Sequence, residues 1–505
     1  MNAIIDLVTF RNVAAGVVVY LISLTFYRLT LHPLARFPGP KLAAITRYYE
    51  GYYDLVQNGQ YTFKIAKLHK EYGPIIRISS YELHINDPVF LETLYRQDAH
   101  FDKYAWAVDA FAAKGATLFT AAHSLHKARR QPLSPFFSKA KVAARQDLIQ
   151  RHLNKFCQRM SAFSNSRATF ELGAAMTAFT RDVANEFITG KSYDILDHED
   201  FDIAMLAASQ GSGQIWRLTK FVRWFAPAMM AIPIDWVMKI ASEDMKVFFR
   251  HIKETMQDTQ NLMTAIASPT PNDKAPRTIV HEIMGSKLPP SEKTHDRIFQ
   301  DVSTVSGAGF ETTASALRLI FFHVFSNADI LQRLRDELAS AGASSSDQLD
   351  LKTLEQLPYL TAILMEGMRL SPAIATRMAR IAPNTGLVYD KWHIPADTPV
   401  GMTILLLHMN ETLYPEPKRF NPDRWMDPDV RREAERGFAP FSRGTRNCLG
   451  MYLAWAEMYK AVAVLAQRFD FWFEGARAED FECNSDQFAL GTKGKGTLRA
   501  TATVR

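Results

Sequence analysis

A chain of 505 residues, 47% hydrophobic and 22% charged, with no internal repeat and no low-complexity tract beyond the short ASAGASSSDQ loop near Ser344, is globular rather than fibrous or disordered. Its three cysteines, Cys157, Cys448 and Cys483, are odd in number and far apart; this argues against a disulfide framework and places the folded part in a reducing compartment. The net charge of +6 and pI near 9.0 suit an anionic membrane surface or an acidic protein partner; nucleic acid is disfavoured, because no basic stripe interleaved with aromatics appears.

The first element is Val13–Tyr27 (VAAGVVVYLISLTFY), uncharged but shorter than the roughly 20 residues that cross a bilayer. Flanking apolar residues, with Arg11 and Arg28 snorkelling to the interface, extend it to a span. A cleaved signal peptide is the alternative, yet no small-residue cleavage site follows. Residues 1–31 are therefore expected to form an uncleaved single-pass anchor and 32–505 one large domain. Arg28, Arg36, Lys41 and Arg47 outnumber Arg11 on the other flank, which puts the body in the cytosol. Pro33, Pro38 and Pro40 predict a stiff, extended exit from the membrane.

From Tyr61 to Glu92 the pattern predicts a helix, a break at Gly73-Pro74 and short alternating strands in IIRISSYELHI. Most of the remainder reads as helix, with strand-like pieces near Gly386–Val400 and at the carboxyl end, giving a mainly α domain with small β-sheets (α+β). Between Phe101 and Ala122 the aromatic residues Phe101, Tyr104, Trp106, Phe111 and Phe119 follow no clean period, which suits core or ligand contact. His126 and Arg130 are four apart and share a helix face; an exposed basic face with Lys127 and Arg129 is the competing reading. Phe221–Met238 is apolar, rich in Trp and Met, and broken by Pro227 and Pro233. Either it inserts shallowly at a membrane interface, opening a lipid-side way in for substrate, or it is a core helix pair.

Ile298–Phe325 predicts a long apolar helix whose centre nevertheless reads Gly307-Ala308-Gly309-Phe310-Glu311-Thr312-Thr313. Two interior glycines cost roughly 1 kcal/mol each relative to alanine, so close backbone approach to a ligand is the expected compensation. Glu311 and Thr312 are suited to organising water and relaying protons. Glu366 and Arg369 sit three apart on a helix bounded by Pro358 and Pro372. Last comes Phe441–Gly450, FSRGTRNCLG, in which Cys448 lies among glycines and arginines before an apolar helix. A metal-binding thiolate needs nearby positive charge and donors; Arg446 and the loop's N–H groups are the expected sources, and Phe441 is placed to shield the sulfur.

The frame F-x-x-G-x-R-x-C-x-G, filled at every fixed position, resembles the haem-binding signature of the cytochrome P450 family. Two further motifs, in family order, strengthen the resemblance: A-G-x-E-T-T from Ala308 to Thr313, and E-x-x-R at Glu366 and Arg369 followed by Phe420, Pro422, Arg424 and Trp425. The resemblance implies that Cys448 is the axial ligand of haem b (iron protoporphyrin IX), that Thr312 steadies dioxygen and that Glu311 takes part in proton delivery. It makes His126, Arg130, Arg380, Phe441, Arg446 and Ala308 cofactor-binding residues, with Arg377 competing with Arg380 for a propionate. His126 stands where the family often has Trp, and Asp423 where it often has Glu. Glu366, Arg369 and Arg424 become structural support beneath the haem, and Phe111, Phe119, Phe310, Ile374, Ala375 and Phe488 the substrate pocket, the last from the QFALGT turn at 487–492.

What the resemblance implies overall is a membrane-anchored haem-thiolate monooxygenase with the P450 fold, on the endoplasmic reticulum with its catalytic domain in the cytosol. No G-x-G-x-x-G stands in a strand–turn–helix context, so NADPH serves only indirectly, through an NADPH-cytochrome P450 reductase, with cytochrome b5 as a further donor; the basic side around Arg443 and Arg446 is the expected docking face. The opening RLTLHPLARFPGPKLAA looks like fungal members of secondary metabolism. Aromatic and aliphatic pocket segments favour a lipophilic substrate, a terpenoid first, a polyketide or indole-derived compound next and a benzoate-type acid third. A haem-thiolate isomerase or peroxygenase, and a haem-binding sensor without turnover, are the rival classes.

Overall fold

The computed structural model describes residues 10–268, 276–342 and 350–505; the loop around Ser344 lies outside the described residues. Helix α1 (Phe10–Phe26) continues through a π-helical turn over Tyr27–Leu31. Its apolar side chains are uncovered, Val19 at 63% and Ile22 at 64% exposure. Arg11–Leu31 is long and apolar enough to cross a membrane. The proline-rich exit that follows is docked: Leu34 and Phe37 are buried, Phe37 stacking on Trp392 at 4.9 Å between centroids. Arg28 donates to Ile45 O (2.5 Å), and Arg77 donates to Arg28 O (2.8 Å). Together these contacts fix the angle at which α1 leaves the body.

Helix α2 (Tyr61–Tyr72) ends at Gly73, whose φ of +95° suits glycine. It precedes the hairpin of β1 (Ile75–Arg77) and β2 (Leu83–Ile85), as the alternation predicts. These strands belong to a five-stranded sheet of order β1-β2-β8-β5-β3, with β3 at Asp102–Lys103, β5 at Arg380–Ile381 and β8 at Val400–Gly401. The other sheets are smaller. A three-stranded one joins β4 (Phe170–Glu171), β12 (Arg499–Val504) and β9 (Phe469–Phe473). Two hairpins pair β6 (Leu387–Tyr389) with β7 (Trp392–Ile394), and β10 (Cys483–Gln487) with β11 (Ala489–Thr492).

The helical body carries the main core. Helices α3 (His123–Arg130), α4 (Gln146–Ser166), α5 (Leu172–Thr189), α6 (Ile203–Phe221) and α7 (Glu243–Ile266) precede the long α8 (His295–Phe325), α9 (Pro358–Leu370) and α10 (Met451–Arg468). Phe156, Phe179, Phe187, Phe321 and Leu364 from α4, α5, α8 and α9 meet in one buried cluster, so α8 runs through the centre. After α6 the chain breaks into two short helices, Phe225–Met230 and Ile234–Ile240. Trp224 (71%), Met230 (66%) and Trp236 (66%) stand exposed there, which rules out a core helix pair.

Candidate active site

The loop before α10 is shaped around Cys448. Gly444 has φ +76°, and a Cβ there would lie 2.4 Å from Tyr95 O, so only glycine fits. The Cys448 N–H donates to Phe441 O (2.9 Å), closing the loop on itself. The sulfur is free and accessible to a water-sized molecule, yet densely surrounded by protein, as at the wall of an interior space. That burial pushes the thiol up; the Gly450 N–H and the Arg130 charge pull it down. The cation serving the sulfur is therefore Arg130, which donates to Asn447 O (2.7 Å) and Oδ1 (2.8 Å) next door. Arg446 was the expected one, but it donates to Ala121 O (2.7 Å) and Thr120 O (2.6 Å) instead.

Beside the loop lies a concentration of buried positive charge. Lys103, Arg380 and Arg446 are buried, and Lys103 of β3 is paired in register with Arg380 of β5, a like-charge pair that a sheet normally avoids. Burial first and then the neighbouring cations lower Arg446, to about 9, and Lys103, well below its usual range. Arg130 and Arg380 are lowered by burial. Among the described residues none of the four makes an ion pair, and Arg380 Nη2 and Arg446 Nε are buried without a partner. His126 is buried with them and held neutral, down to about 2, by burial first and then by Arg446. Arg377 faces elsewhere, bonded to Glu82 (2.6 Å) and Glu50 (2.9 Å). Uncompensated buried cations are costly, so this constellation fits a group bearing two negative charges.

Helix α8 opens to interior space at its centre, where Gly307 and Ala308 are accessible although the helix is otherwise largely buried. Thr312 lies one turn on, and its hydroxyl donates back to Ala308 O (2.8 Å), loosening the helix locally. Glu311 is ion-paired with Arg318, whose other nitrogen donates to Thr177 Oγ1 (2.9 Å). Phe310 is not a pocket residue: two positions from both Ala308 and Thr312, it projects from the opposite side. There it packs by Arg181 (5.7 Å) and His251 (6.0 Å), and its carbonyl accepts from Thr180 Oγ1 (2.9 Å).

Three segments assemble an aromatic wall. Phe111 and Phe119 stack at 4.1 Å, Phe488 meets Phe111 edge-on at 4.7 Å, and Trp216 of α6 lies 5.4 Å from Phe488 and 5.9 Å from Phe111. The segment carrying Phe111 and Phe119 is pinned to α8 by Thr117, which donates its N–H (2.7 Å) and its hydroxyl (3.0 Å) to Asp301. Ile374 bridges to Ala489 and stays partly accessible. Ala375, expected to line the pocket, is fully covered by Leu405 and Leu490 with its N–H on Phe488 O (2.9 Å); it supports the wall from behind.

The family model for cytochrome P450 matches residues 50–498. The chain belongs to the cytochrome P450 family. It is 38% identical over 469 residues to the cytochrome P450 monooxygenase tpcC of Cochliobolus heterostrophus, covering 91% of this chain and 88% of that one. Similarity is comparable to the tryptophan 6-hydroxylase fscE of Fusarium equiseti (35%; 92% and 91% covered) and the N-acetyltryptophan 6-hydroxylase ivoC of Emericella nidulans (36%; 93% and 92%). The fold matches that of the crystal structure of a cytochrome P450 (CYP102L1), with a TM-score of 0.69 at 16% identity over 88% of this chain and 94% of that one. This P450 is accordingly a monooxygenase of the kind found in fungal secondary metabolism.

Members of the P450 family carry haem held by a thiolate, and the residues present fit it. An accessible Cys448 thiol offers the ligand, and the unpaired nitrogens of Arg380 and Arg446 await anions such as propionates. A Cβ added at Gly450 or Gly307 would meet nothing within 4 Å, so both glycines border open space. Beneath, Glu366 is fully buried and accepts from Arg369 Nε and Nη2 (2.9 and 2.8 Å), Arg424 Nε (3.0 Å), Trp425 Nε1 (2.9 Å) and the Asn421 N–H (2.9 Å). Arg369 reaches on to His408 O (2.9 Å). Lys103, Trp216 and Arg318 are site residues that sequence reasoning missed. Lys103 alone had a signal, a lysine inside the aromatic stretch Phe101–Trp106.

Proposed function

We propose that Cys448 would supply the thiolate that holds haem in a membrane-anchored monooxygenase that oxidises a lipophilic secondary metabolite, a terpenoid first. The observation that carries this reading is the aromatic wall of Phe111, Phe119, Trp216 and Phe488, together with the unpaired cations beside Cys448. When bound, haem supplies the binding and reductive activation of O₂. Arg130, Arg380, Arg446 and Lys103 would hold its propionates, with His126 neutral beside them, and Phe441 would shield the sulfur. The small side chain of Ala308 would leave room for the group beside α8. The Thr312 hydroxyl, bonded to Ala308 O, would turn to hand a proton inward, and Glu311, held in place by Arg318, would relay to it a replacement proton taken from water. Phe111, Phe119, Trp216, Phe488 and Ile374 orient the substrate and exclude water. The balance is R–H, O₂, two electrons and two protons giving R–OH and water.

The electrons come from an NADPH-cytochrome P450 reductase docking near Arg443, with cytochrome b5 as a second donor. Residues 1–31 anchor the chain in the endoplasmic reticulum membrane, residues 32–505 form the cytosolic catalytic domain, and the exposed Trp224–Trp236 segment dips into the same leaflet. An indole-type substrate is the second reading, favoured because two relatives are named for hydroxylating tryptophan and N-acetyltryptophan. The test is the haem spin-state shift in membranes with terpenoid, indole and benzoate-type compounds, followed by product analysis with NADPH and reductase. A shift and an oxygenated product with a terpenoid support the first reading, and with an indole the second. A benzoate-only response overturns both. NADPH consumption without product from any class would point to a sensor.

A further inference from the structure

The last turns of α6 are locked to the rest of the molecule by charged groups that the chemistry above does not use. Lys220, 2% exposed, donates to Glu50 (2.9 Å) and Asp54 (2.5 Å) while its ammonium lies 4.3 Å from the Trp216 ring. The other oxygen of Glu50 accepts from Arg377 Nη2 (2.9 Å), in the segment that carries Ile374. One turn earlier Arg217 donates to Asp486 O (2.7 Å), Gln487 Oε1 (2.5 Å) and Asn58 Oδ1 (2.5 Å). Asp486 in turn receives the Phe488 N–H (2.9 Å) and the Thr62 hydroxyl (2.8 Å). So the parts bearing Trp216, Ile374 and Phe488 are tied together by one buried network.

The same links close a seam. Outside it lies a depression of about 290 Å³ bounded by Asp54, Leu55, Asn58, Gln214 and Arg217; inside, Trp216 faces the aromatic wall. The seam is tight: a Cβ on Gly213 would lie 2.4 Å from Gln487 Cα, and one on Gly59 2.5 Å from Asp486 O. Leu55 and Val56 beside the depression are exposed, at 41% and 73%, and Gly51 packs under Phe221, where the exposed Trp224–Trp236 segment begins.

We infer that the depression is the outer mouth of the ligand passage and that the Lys220–Glu50–Asp54 and Arg217–Asn58–Gln487 links form a latch across it. Lys220 and Arg217 then determine which ligands reach the pocket, acting by position and never touching the reacting atoms. Small molecules pass while the latch is shut; large ones wait for both links to part. This rests on the haem pocket lying behind Trp216, as proposed above.

The test needs no knowledge of the natural substrate. Imidazole, 4-phenylimidazole and a bulky triaryl azole are mixed with the full-length holoenzyme in detergent micelles, and nitrogen ligation to haem is followed by stopped-flow absorbance. Lys220→Met/Asp54→Asn removes one cation and one anion together and so keeps the charge balanced; Arg217→Met opens the second link separately. The latch predicts that either variant speeds the bulky azole by about tenfold, equivalent to about 1.4 kcal/mol off the opening step. Imidazole should change by less than about twofold, since it needs no opening. Lys220→Arg should restore the wild-type rates. An equal change for all three probes, or no change in whichever variant retains its thiolate-type carbonyl band, overturns the latch. No azole spectrum in the wild type overturns the haem reading itself and the latch with it.

Discussion

Glu366→Gln is the substitution whose outcome follows most directly from geometry. The carboxylate accepts five hydrogen bonds at 2.8–3.0 Å from Arg369, Arg424, Trp425 and the Asn421 N–H, and the three side-chain partners are buried. An amide offers one acceptor oxygen, and its NH₂ would point at the donors that now meet the second oxygen. Two buried guanidinium groups would lose their counter-charge. Breaking such a cluster costs about 3–5 kcal/mol, a large share of the roughly 5–15 kcal/mol that stabilises a folded domain. At about 2 cal/mol/K of unfolding entropy per residue, a chain of this length has about 1 kcal/mol per kelvin, so the thermal midpoint should fall by about 3–5 °C. Far-UV circular dichroism melting of the haem-loaded protein measures this, with Arg424→Met, which leaves the Arg369 fork in place, falling less. A loss under 1 °C for Glu366→Gln would refute the reasoning, because the cluster would then not be holding α9 to the loop carrying Arg424.

Other consequences are as specific. Thr312→Ala removes the hydroxyl proposed to pass the proton; product formation should fall by about 10²-fold while NADPH consumption continues, read as the ratio of product to NADPH. Arg380→Leu deletes a cation with an unpaired nitrogen, so haem should transfer to apomyoglobin at least about tenfold faster; an unchanged rate would remove Arg380 from the propionate site. Burial lowers His323 to about 4, against about 6.5 for the unfolded chain. The unfolded state therefore binds the proton first, and the stability this group contributes is full above pH 6.5 and lost as pH falls toward 4, by up to about 1.4 kcal/mol per unit. His323→Phe, which keeps the stack on Phe420, should flatten that part of a melting-temperature profile. With residues 1–31 removed, residual detergent-sensitive membrane binding should persist and disappear in Trp224→Ser/Trp236→Ser; a truncated chain that is wholly soluble would contradict the second contact.

What could be read from the sequence was what lies in one short segment. The Cys448 loop is local: its glycine, its N–H donors and its cysteine are set by ten consecutive residues. The pairing of Glu366 with Arg369 follows from helical spacing. Phe310 shares a motif with Ala308 and Thr312 but not a helix face: at 100° per residue it points away from both, so sequence proximity alone does not make it a pocket residue. Lys103 and Trp216 were hidden for a different reason. Lys103 meets Arg380 only through the register of β3 against β5, 277 positions apart in the chain, and Trp216 joins Phe488 only because Gly213 lets α6 touch the β10–β11 turn. That Arg377, the competitor of Arg380, is tied up by Glu82 and Glu50 was likewise hidden, because the fold brings both carboxylates from far upstream.

The central claim is that Cys448 supplies a thiolate to haem iron. The direct measurement is the absorbance of the reduced carbonyl complex of the wild type and of Cys448→Ser, prepared side by side with haem content quantified. The account predicts a red-shifted thiolate-type band in the wild type that is absent from the variant. A red-shifted band surviving in Cys448→Ser, or absent from the haem-loaded wild type, would contradict it.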